Sequence, residues 1–322
     1  MEEIWIERYR PKSFDEIHGQ EWIISRLKAF VKKKNIPHLL LAGPAGVGKT
    51  SIALVVAQGL YGERWKENFL ELNSSDDRGI DVVRTKIKDF ARTIAIGEVP
   101  FKIILLDECD SLTSEAQQAL RRTMEQYSGN CRFFLSCNYS SKIIDPIQSR
   151  CSIFRFKLLE KKDVKEIVDN IARGEGLKIN EDALDALYSV SNGDARRLGN
   201  LLQSCASVSK TITPEMVYEI AGSAKPGEIL EILNNAVNGN FIKARNGLLD
   251  VMLKRGLSGL DVVKLVIGEI GGLKINEDER MGMIEKCGEC EFRIVEGSDE
   301  YVQLESLLAG FVRIGNYGKR GD

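Results

Sequence analysis

This chain of 322 residues has only two histidines, almost no net charge and no apolar run approaching the roughly 20 residues of a membrane helix. Each shortage excludes something. His18 and His38 alone cannot complete a four-ligand zinc site. The seven cysteines, at 109, 131, 137, 151, 205, 287 and 290, have no framework spacing, and their odd count argues for reduced thiols over a disulfide scaffold. Cys287-Gly-Glu-Cys290 is the one CxxC pair, with no second pair to complete a metal site. Lys+Arg of 45 against Asp+Glu of 47 leaves a formal net charge of -2, so any DNA contact must come from a local basic surface. The N-terminus, Met-Glu-Glu-Ile-Trp-Ile-Glu-Arg-Tyr-Arg-Pro, is charged throughout and lacks the apolar core of a signal peptide. An intracellular, cytoplasmic protein with no membrane partner is expected.

What is present is a globular composition, 43% hydrophobic and 29% charged, in a chain long enough for two or three domains. Up to about residue 157, short apolar strands alternate with helical stretches. The strand candidates are His38–Ala42, Phe69–Leu72, Lys102–Leu106, Arg132–Ser136 and Ser152–Phe156. Three are nearly continuous apolar runs, as strands covered on both faces of a parallel sheet should be. Ala116, Ala119, Leu120, Thr123 and Met124 fall at helical spacing. The pattern predicts an α/β doubly wound domain.

From about Leu158 the strand signal disappears. Lys161–Arg173, Glu181–Ser191 and Ala195–Ser207 read as amphipathic helices, Ser223–Gly227 as a linker, and Glu228–Arg313 as further helices broken at Gly239, Gly256, Gly271-Gly272 and Gly297. The expected domains are 1–157, 158–222 and 223–322.

Gly43-Pro-Ala-Gly-Val-Gly-Lys-Thr50 matches GxxxxGK[ST] between the first strand and a helix beginning near Lys49. Glycines let backbone N–H groups close around phosphates, Lys49 reaches the β/γ oxygens, and Thr50 offers its hydroxyl to Mg²⁺. The helix N-terminus favours the anion. The nucleotide-binding set is Gly43, Pro44, Ala45, Gly46, Val47, Gly48, Lys49, Thr50 and Ser51. Lys102-Ile-Ile-Leu-Leu-Asp-Glu-Cys-Asp110 ends an apolar strand in adjacent carboxylates. Asp107 can hold Mg²⁺ through its water shell and Glu108 can polarise the attacking water. Alone, the pair is as readily a solvated acidic turn. Asp110 is expected to cap the next helix and Cys109 to act as spacing. Asn138 ends another apolar strand, where its amide can hold the attacking water or touch the γ-phosphate.

These residues, taken together, resemble the small subunit of the archaeal and eukaryotic sliding-clamp loader, replication factor C, a branch of the AAA+ ATPases. The likeness runs over nearly the whole chain. It is carried by Trp5-Ile-Glu-Arg-Tyr-Arg-Pro11, Asn73-Ser-Ser-Asp-Asp-Arg-Gly-Ile-Asp-Val-Val-Arg84, Ala116-Gln-Gln-Ala-Leu-Arg-Arg-Thr-Met-Glu125, Ser149-Arg-Cys151 and Gly193-Asp-Ala-Arg-Arg197. The resemblance implies an AAA+ P-loop domain with a parallel sheet, a helical lid and an all-helical collar that oligomerises. It implies that Arg150 is an arginine finger reaching a neighbouring subunit's ATP. Arg196 becomes a sensor of its own subunit's γ-phosphate, and Tyr9, Arg10 and Pro11, with Ile17, His18 and Gly19, wrap the adenine and ribose. ATP and Mg²⁺ are the implied cofactors. The implied partners are the sliding clamp, a large subunit and other small subunits in a hetero-oligomer, as a pentamer, and primer-template DNA.

Arg78, Arg84 and Lys142 match family positions that grip DNA phosphates. Arg84, Lys88 and Arg92 recur every four residues, as a backbone-tracking helical stripe would require. Nothing suggests base readout. The chain departs from the family at Ala45 and Val47, where Pro and Thr are usual, at Cys109 for Ala, and at Gly199, which costs a helix interior about 1 kcal/mol. The alternatives to a clamp-loader ATPase are another DNA-associated AAA+ ATPase, branch-migration or fork-associated, and a non-hydrolysing scaffold subunit.

Overall fold

The computed structural model describes residues 4–76, 79, 81 and 83–318. They fall into two compact units, divided between Thr213 and Pro214.

The first unit opens with α1 (Trp5–Arg8) and α2 (Glu21–Lys32), followed by β1 (His38–Ala42), α3 (Lys49–Tyr61) and β2 (Phe69–Asn73). A π-helical turn (Val83–Ile87) leads into α4 (Lys88–Arg92), then β3 (Lys102–Asp107), α5 (Ser114–Gln126), β4 (Cys131–Cys137), α6 (Asp145–Gln148) and β5 (Cys151–Arg155). Its last part holds α7 (Lys161–Glu175), β6 (Lys178–Ile179), α8 (Glu181–Ser191), α9 (Ala195–Val208) and β7 (Thr211–Ile212).

β1 to β5 form one sheet in the order β2-β3-β4-β1-β5, and every adjacent pair is parallel. Both faces are covered, which explains the uninterrupted apolar strands. Leu39, Leu41, Ile103, Leu105 and Phe134 pack on one side with Ile52, Ala53 and Val56 of α3. Leu40, Ile104, Leu106, Phe133 and Leu135 pack on the other with Ala116, Leu120 and Met124 of α5. The carboxyl ends of β1, β3 and β4 lie together, where an open parallel sheet holds its ligand.

Two expectations are corrected. Strands do recur after residue 158: β6 and β7 pair in parallel, Lys178 with Thr211 and Ile179 with Ile212. Two-residue strands are too short to leave a periodic signal. The basic stripe is not a regular α-helix either, because the π-helical turn over Val83–Ile87 lengthens the repeat ahead of Lys88.

The second unit is helical: α10 (Pro214–Ile220), α11 (Pro226–Val237), α12 (Phe241–Arg255), α13 (Gly259–Ile270), α14 (Glu277–Val295) and α15 (Glu300–Gly318). Ser258 caps α13, its hydroxyl accepting from Asp261 N at 3.2 Å. Its core includes Ile229, Leu233, Leu248, Val262, Met283, Leu304, Leu308 and Phe311. Cys287 and Cys290 sit in that core, one helical turn apart, and burial pushes their thiols up to about 12 and about 11. Thiols held so far from ionisation are poor nucleophiles and ligands. All seven cysteines are free, and no group of three metal-ligating side chains occurs among the described residues. No helix among those residues is long and apolar enough to cross a membrane.

Candidate active site

The phosphate loop runs from β1 into α3, and its backbone is shaped by glycines. Gly46 has φ of +70°, and a Cβ built there would stand 1.7 Å from Asp194 Oδ1 at the head of α9. Only glycine fits that approach. The loop touches the lid directly, since Ala195 N donates to Gly46 O at 2.9 Å. Asp194 caps α9 by accepting from Arg196 N at 2.8 Å and Arg197 N at 3.0 Å.

At the head of α3, Lys49 is 8% exposed. Its ammonium donates to Gly43 O at 2.7 Å, Pro44 O at 2.6 Å and Asn138 Oδ1 at 3.0 Å. All three donors are therefore satisfied by neutral oxygens, and burial lowers its pKa against the opposing pull of Asp107. A buried cation with no carboxylate in direct contact suits an incoming anion. Thr50 Oγ1 donates to Asp107 Oδ2 at 2.6 Å, and Glu108 N donates to Asp107 Oδ1 at 2.9 Å. The Thr50 hydroxyl thus spends its proton on Asp107 and keeps its lone pairs free. A hydroxyl and a carboxylate are the hard oxygen donors that Mg²⁺ selects.

Glu108 occupies the left-handed region, with φ of +51°. For a residue with a Cβ this costs about 1–2 kcal/mol, and such strain collects at working sites. Glu108 lines the same cavity as Lys49, Thr50, Asp107 and Asn138.

The cavity also brings in Tyr9, Arg10, Pro11, Ile17, His18, Ala45, Gly46, Val47, Gly48, Ser51 and Arg196. Gly19, Gly43, Pro44 and Arg150 are not among its lining residues. The N-terminal segment is bolted to the lid helix α7: Tyr9 donates to Glu175 Oε1 at 2.7 Å, and His18 Nδ1 lies 2.7 Å from Glu166 Oε2. Arg150 is anchored away from this cavity, its guanidinium donating to Pro146 O at 2.6 Å and to Glu125 Oε1.

Two sequence expectations change here. Asp110 does not cap α5; it accepts from Tyr139 N at 3.2 Å, while Thr113 Oγ1 caps α5 by accepting from Ala116 N at 3.2 Å. Thr113 is the residue immediately ahead of the first helical turn, which is where a cap must stand. Gly199 proves to be a packing position. A Cβ there would meet Ile6 Cγ1 at 3.2 Å, so glycine lets α1 lie against α9.

Among the DNA-facing candidates, Lys142 is exposed, with its ammonium 5.0 Å from the Tyr139 ring centre. Lys88 lies in a shallow groove with Arg122, Glu115 and Gln118. Arg78 and the Arg84 side chain lie outside the described residues. Arg92, the third member of the stripe, pairs with Asp89 at 3.8 Å and donates to Tyr127 Oη at 3.3 Å.

Sequence reasoning missed Trp5, Ile6, Leu159, Ile167, Asn170, Ile171 and Ser136, all of which line the cavity. Only Ser136 had a signal: a hydroxyl in the apolar run Phe133-Phe134-Leu135, two residues before Asn138 and so on the same strand face.

Two family models match the chain: "ATPase family associated with various cellular activities (AAA)" over residues 39–158, and "Replication factor C C-terminal domain" over residues 224–310. A Replication factor C small subunit from Methanococcus maripaludis is 54% identical over 309 residues, spanning 96% of this chain and 98% of the relative. One from Archaeoglobus fulgidus is 50% identical over 307 residues, 95% of this chain and 96% of the relative. One from Thermofilum pendens is 48% identical over 323 residues, 99% of each. Among solved structures, the Thermotoga maritima RuvB Holliday junction branch migration motor is similar in fold, with a TM-score of 0.56 at 20% identity, covering 71% of this chain and 79% of that one.

Proposed function

The chain belongs to the replication factor C small-subunit family, and on that premise we propose that its first unit is one half of an ATPase site completed by a neighbouring subunit. It is a clamp-loader ATPase subunit of DNA replication. The branch-migration alternative has only a shared fold at 20% identity behind it.

In this reading the loop Gly43–Thr50 and Lys49 take the ATP phosphates, and Tyr9, Arg10, Pro11, Ile17, His18 and Gly19 take the base and sugar. Bound at Thr50 and Asp107, Mg²⁺ supplies positive charge for the phosphate oxygens. Glu108 orients the attacking water and accepts its proton; Asn138 holds that water against the γ-phosphate. Arg196 senses the γ-phosphate from the lid. Arg150 serves the adjacent subunit, where such a group is worth about 10³–10⁵ in rate. Functionally the chain divides into the α/β domain 1–157, the lid 158–222 and the collar 223–322. The assembly is a pentamer with a large subunit, and it opens the clamp on primer-template DNA held by Arg78, Arg84, Lys88 and Lys142 through phosphate contacts.

One observation carries the reading. Lys49, Thr50, Asp107 and Glu108 converge on one cavity that Arg150 does not line. The test is ATPase activity of the assembled complex, expected to rise with primed DNA and clamp and to vanish in Lys49→Ala. Activity indifferent to both, or surviving the substitution, overturns it.

A further inference from the structure

Among the described residues that line the cavity, one has a buried side-chain polar atom without a hydrogen-bond partner. Asp107 accepts from Thr50 and Glu108, and Asn138 accepts from Lys49. Ser136 is 0% exposed, lines the same cavity, and its Oγ has no hydrogen-bond partner. The few other buried orphan atoms, on Arg121, Arg280 and Gln303, belong to residues that do not line it. An unpaired buried hydroxyl is destabilising, and a central strand position between Leu135 and Cys137, paired with Leu41, would be filled better by an apolar residue. A group kept at such a cost calls for an account that lies outside the ligand-free chain.

Register says where that hydroxyl stands. Ser136 pairs with Leu41 on β1, two residues before the phosphate loop. On its other side Leu135 pairs with Leu106, so the next step along β3 and β4 sets Ser136 beside Asp107. The loop's N–H groups and Lys49 serve the phosphates from above. Ser136 lies in the sheet below, on the side of the Thr50–Asp107 pair. A hydroxyl both donates and accepts, and a water held among oxygens needs two to four such partners.

We propose that Ser136 is a positioning residue whose hydroxyl holds a water of the Mg²⁺ shell at Thr50 and Asp107. The inference rests on the nucleotide-site reading above. Its effect is on how much Mg²⁺ strengthens nucleotide binding, with no direct contact to the nucleotide.

The test measures ADP binding to the full chain by calorimetry, in chelator and in saturating Mg²⁺, for wild type, Ser136→Ala, Ser136→Cys and Thr50→Ala. In chelator, Ser136→Ala should bind ADP as wild type does. Its Mg²⁺-linked gain in affinity should shrink about tenfold, with Ser136→Cys between the two and Thr50→Ala losing the gain altogether. The melting temperature of ligand-free Ser136→Ala should equal or exceed that of wild type, because an unpaired hydroxyl has gone. An unchanged Mg²⁺-linked gain overturns the inference, as does an equal loss with and without Mg²⁺, which would mark a direct nucleotide contact. If Ser136→Ala does not fold, Ser136→Cys, which keeps the volume, is judged by the same two outcomes. Wild-type chain that binds no ADP at all overturns the site reading and this inference with it.

Discussion

The first unit gathers a buried cation, a strained carboxylate and an unpaired hydroxyl around one cavity, whereas the second unit packs an apolar core and bares an apolar face on one helix. In the first, Lys49 is buried, Glu108 is strained and Ser136 is unpaired. In the second, the core cluster is apolar side chains with two inert thiols, and the buried unpaired atoms Arg280 Nε and Gln303 Oε1 line no part of that cavity. Its oddity lies on α14, where Met281, Ile284, Phe292 and Val295 are 55%, 48%, 66% and 63% exposed. At helical spacing these four share one face. A site for a small charged ligand stores strain and buried charge, whereas apolar side chains clustered on one exposed helix face suit a protein contact.

The largest effect that would break this comparison is on chemistry. Glu108→Gln should lower hydrolysis by the assembled complex about 10²–10⁴-fold while leaving the melting of both units unchanged. A simultaneous loss of stability would mean that Glu108 is structural. Next, Phe311→Ala in the second unit's core should cost about 3–5 kcal/mol in denaturant unfolding of that unit. ADP binding by the first unit should survive it.

A third effect depends on pH. Burial, aided by Arg132, lowers the pKa of His38 from 6.5 to about 4, and its Nδ1 accepts from Phe133 N at 3.0 Å, which requires the neutral ring. The unfolded chain takes up this proton below about pH 6.5, before the folded chain does. The stabilisation is therefore full above that pH and is lost as pH falls toward 4, by about 2 kcal/mol at pH 5. Denaturant melts at pH 7 and pH 5 should show it in the first unit and not in His38→Asn. The second unit has no histidine and should be nearly flat over that range. The smallest effect is at the surface. Phe292→Ser should weaken subunit assembly about tenfold with little change in monomer stability, since a 66% exposed ring does little for the fold.

How much of this was legible beforehand follows from range. β1 at His38–Ala42, α3 from Lys49 and α8 at Glu181–Ser191 were readable to the residue, because apolar runs, turn glycines and caps are local signals. Lys49, Thr50, Asp107, Glu108 and Asn138 were readable because strand ends of a parallel sheet gather at one edge. The lid's contribution through Ile167, Asn170 and Ile171 was not, since those residues look like any amphipathic helix until α7 is placed over the loop. Gly199 read as a weak point until Ile6 was seen against it. The anchoring of Arg150 by Glu125 and Pro146 joins α5 to α6, and no pattern in either helix announces it.

The central claim is that each ATP site is shared, with Arg150 acting on a neighbour. It is tested most directly by co-assembling Lys49→Ala chains, which keep the finger but lose the phosphate site, with Arg150→Ala chains, which keep the site but lose the finger. Each variant alone should leave the small-subunit sites of the complex nearly inactive, and the mixture should recover a substantial fraction of turnover. No recovery on mixing, or full turnover by Arg150→Ala alone, would contradict the account.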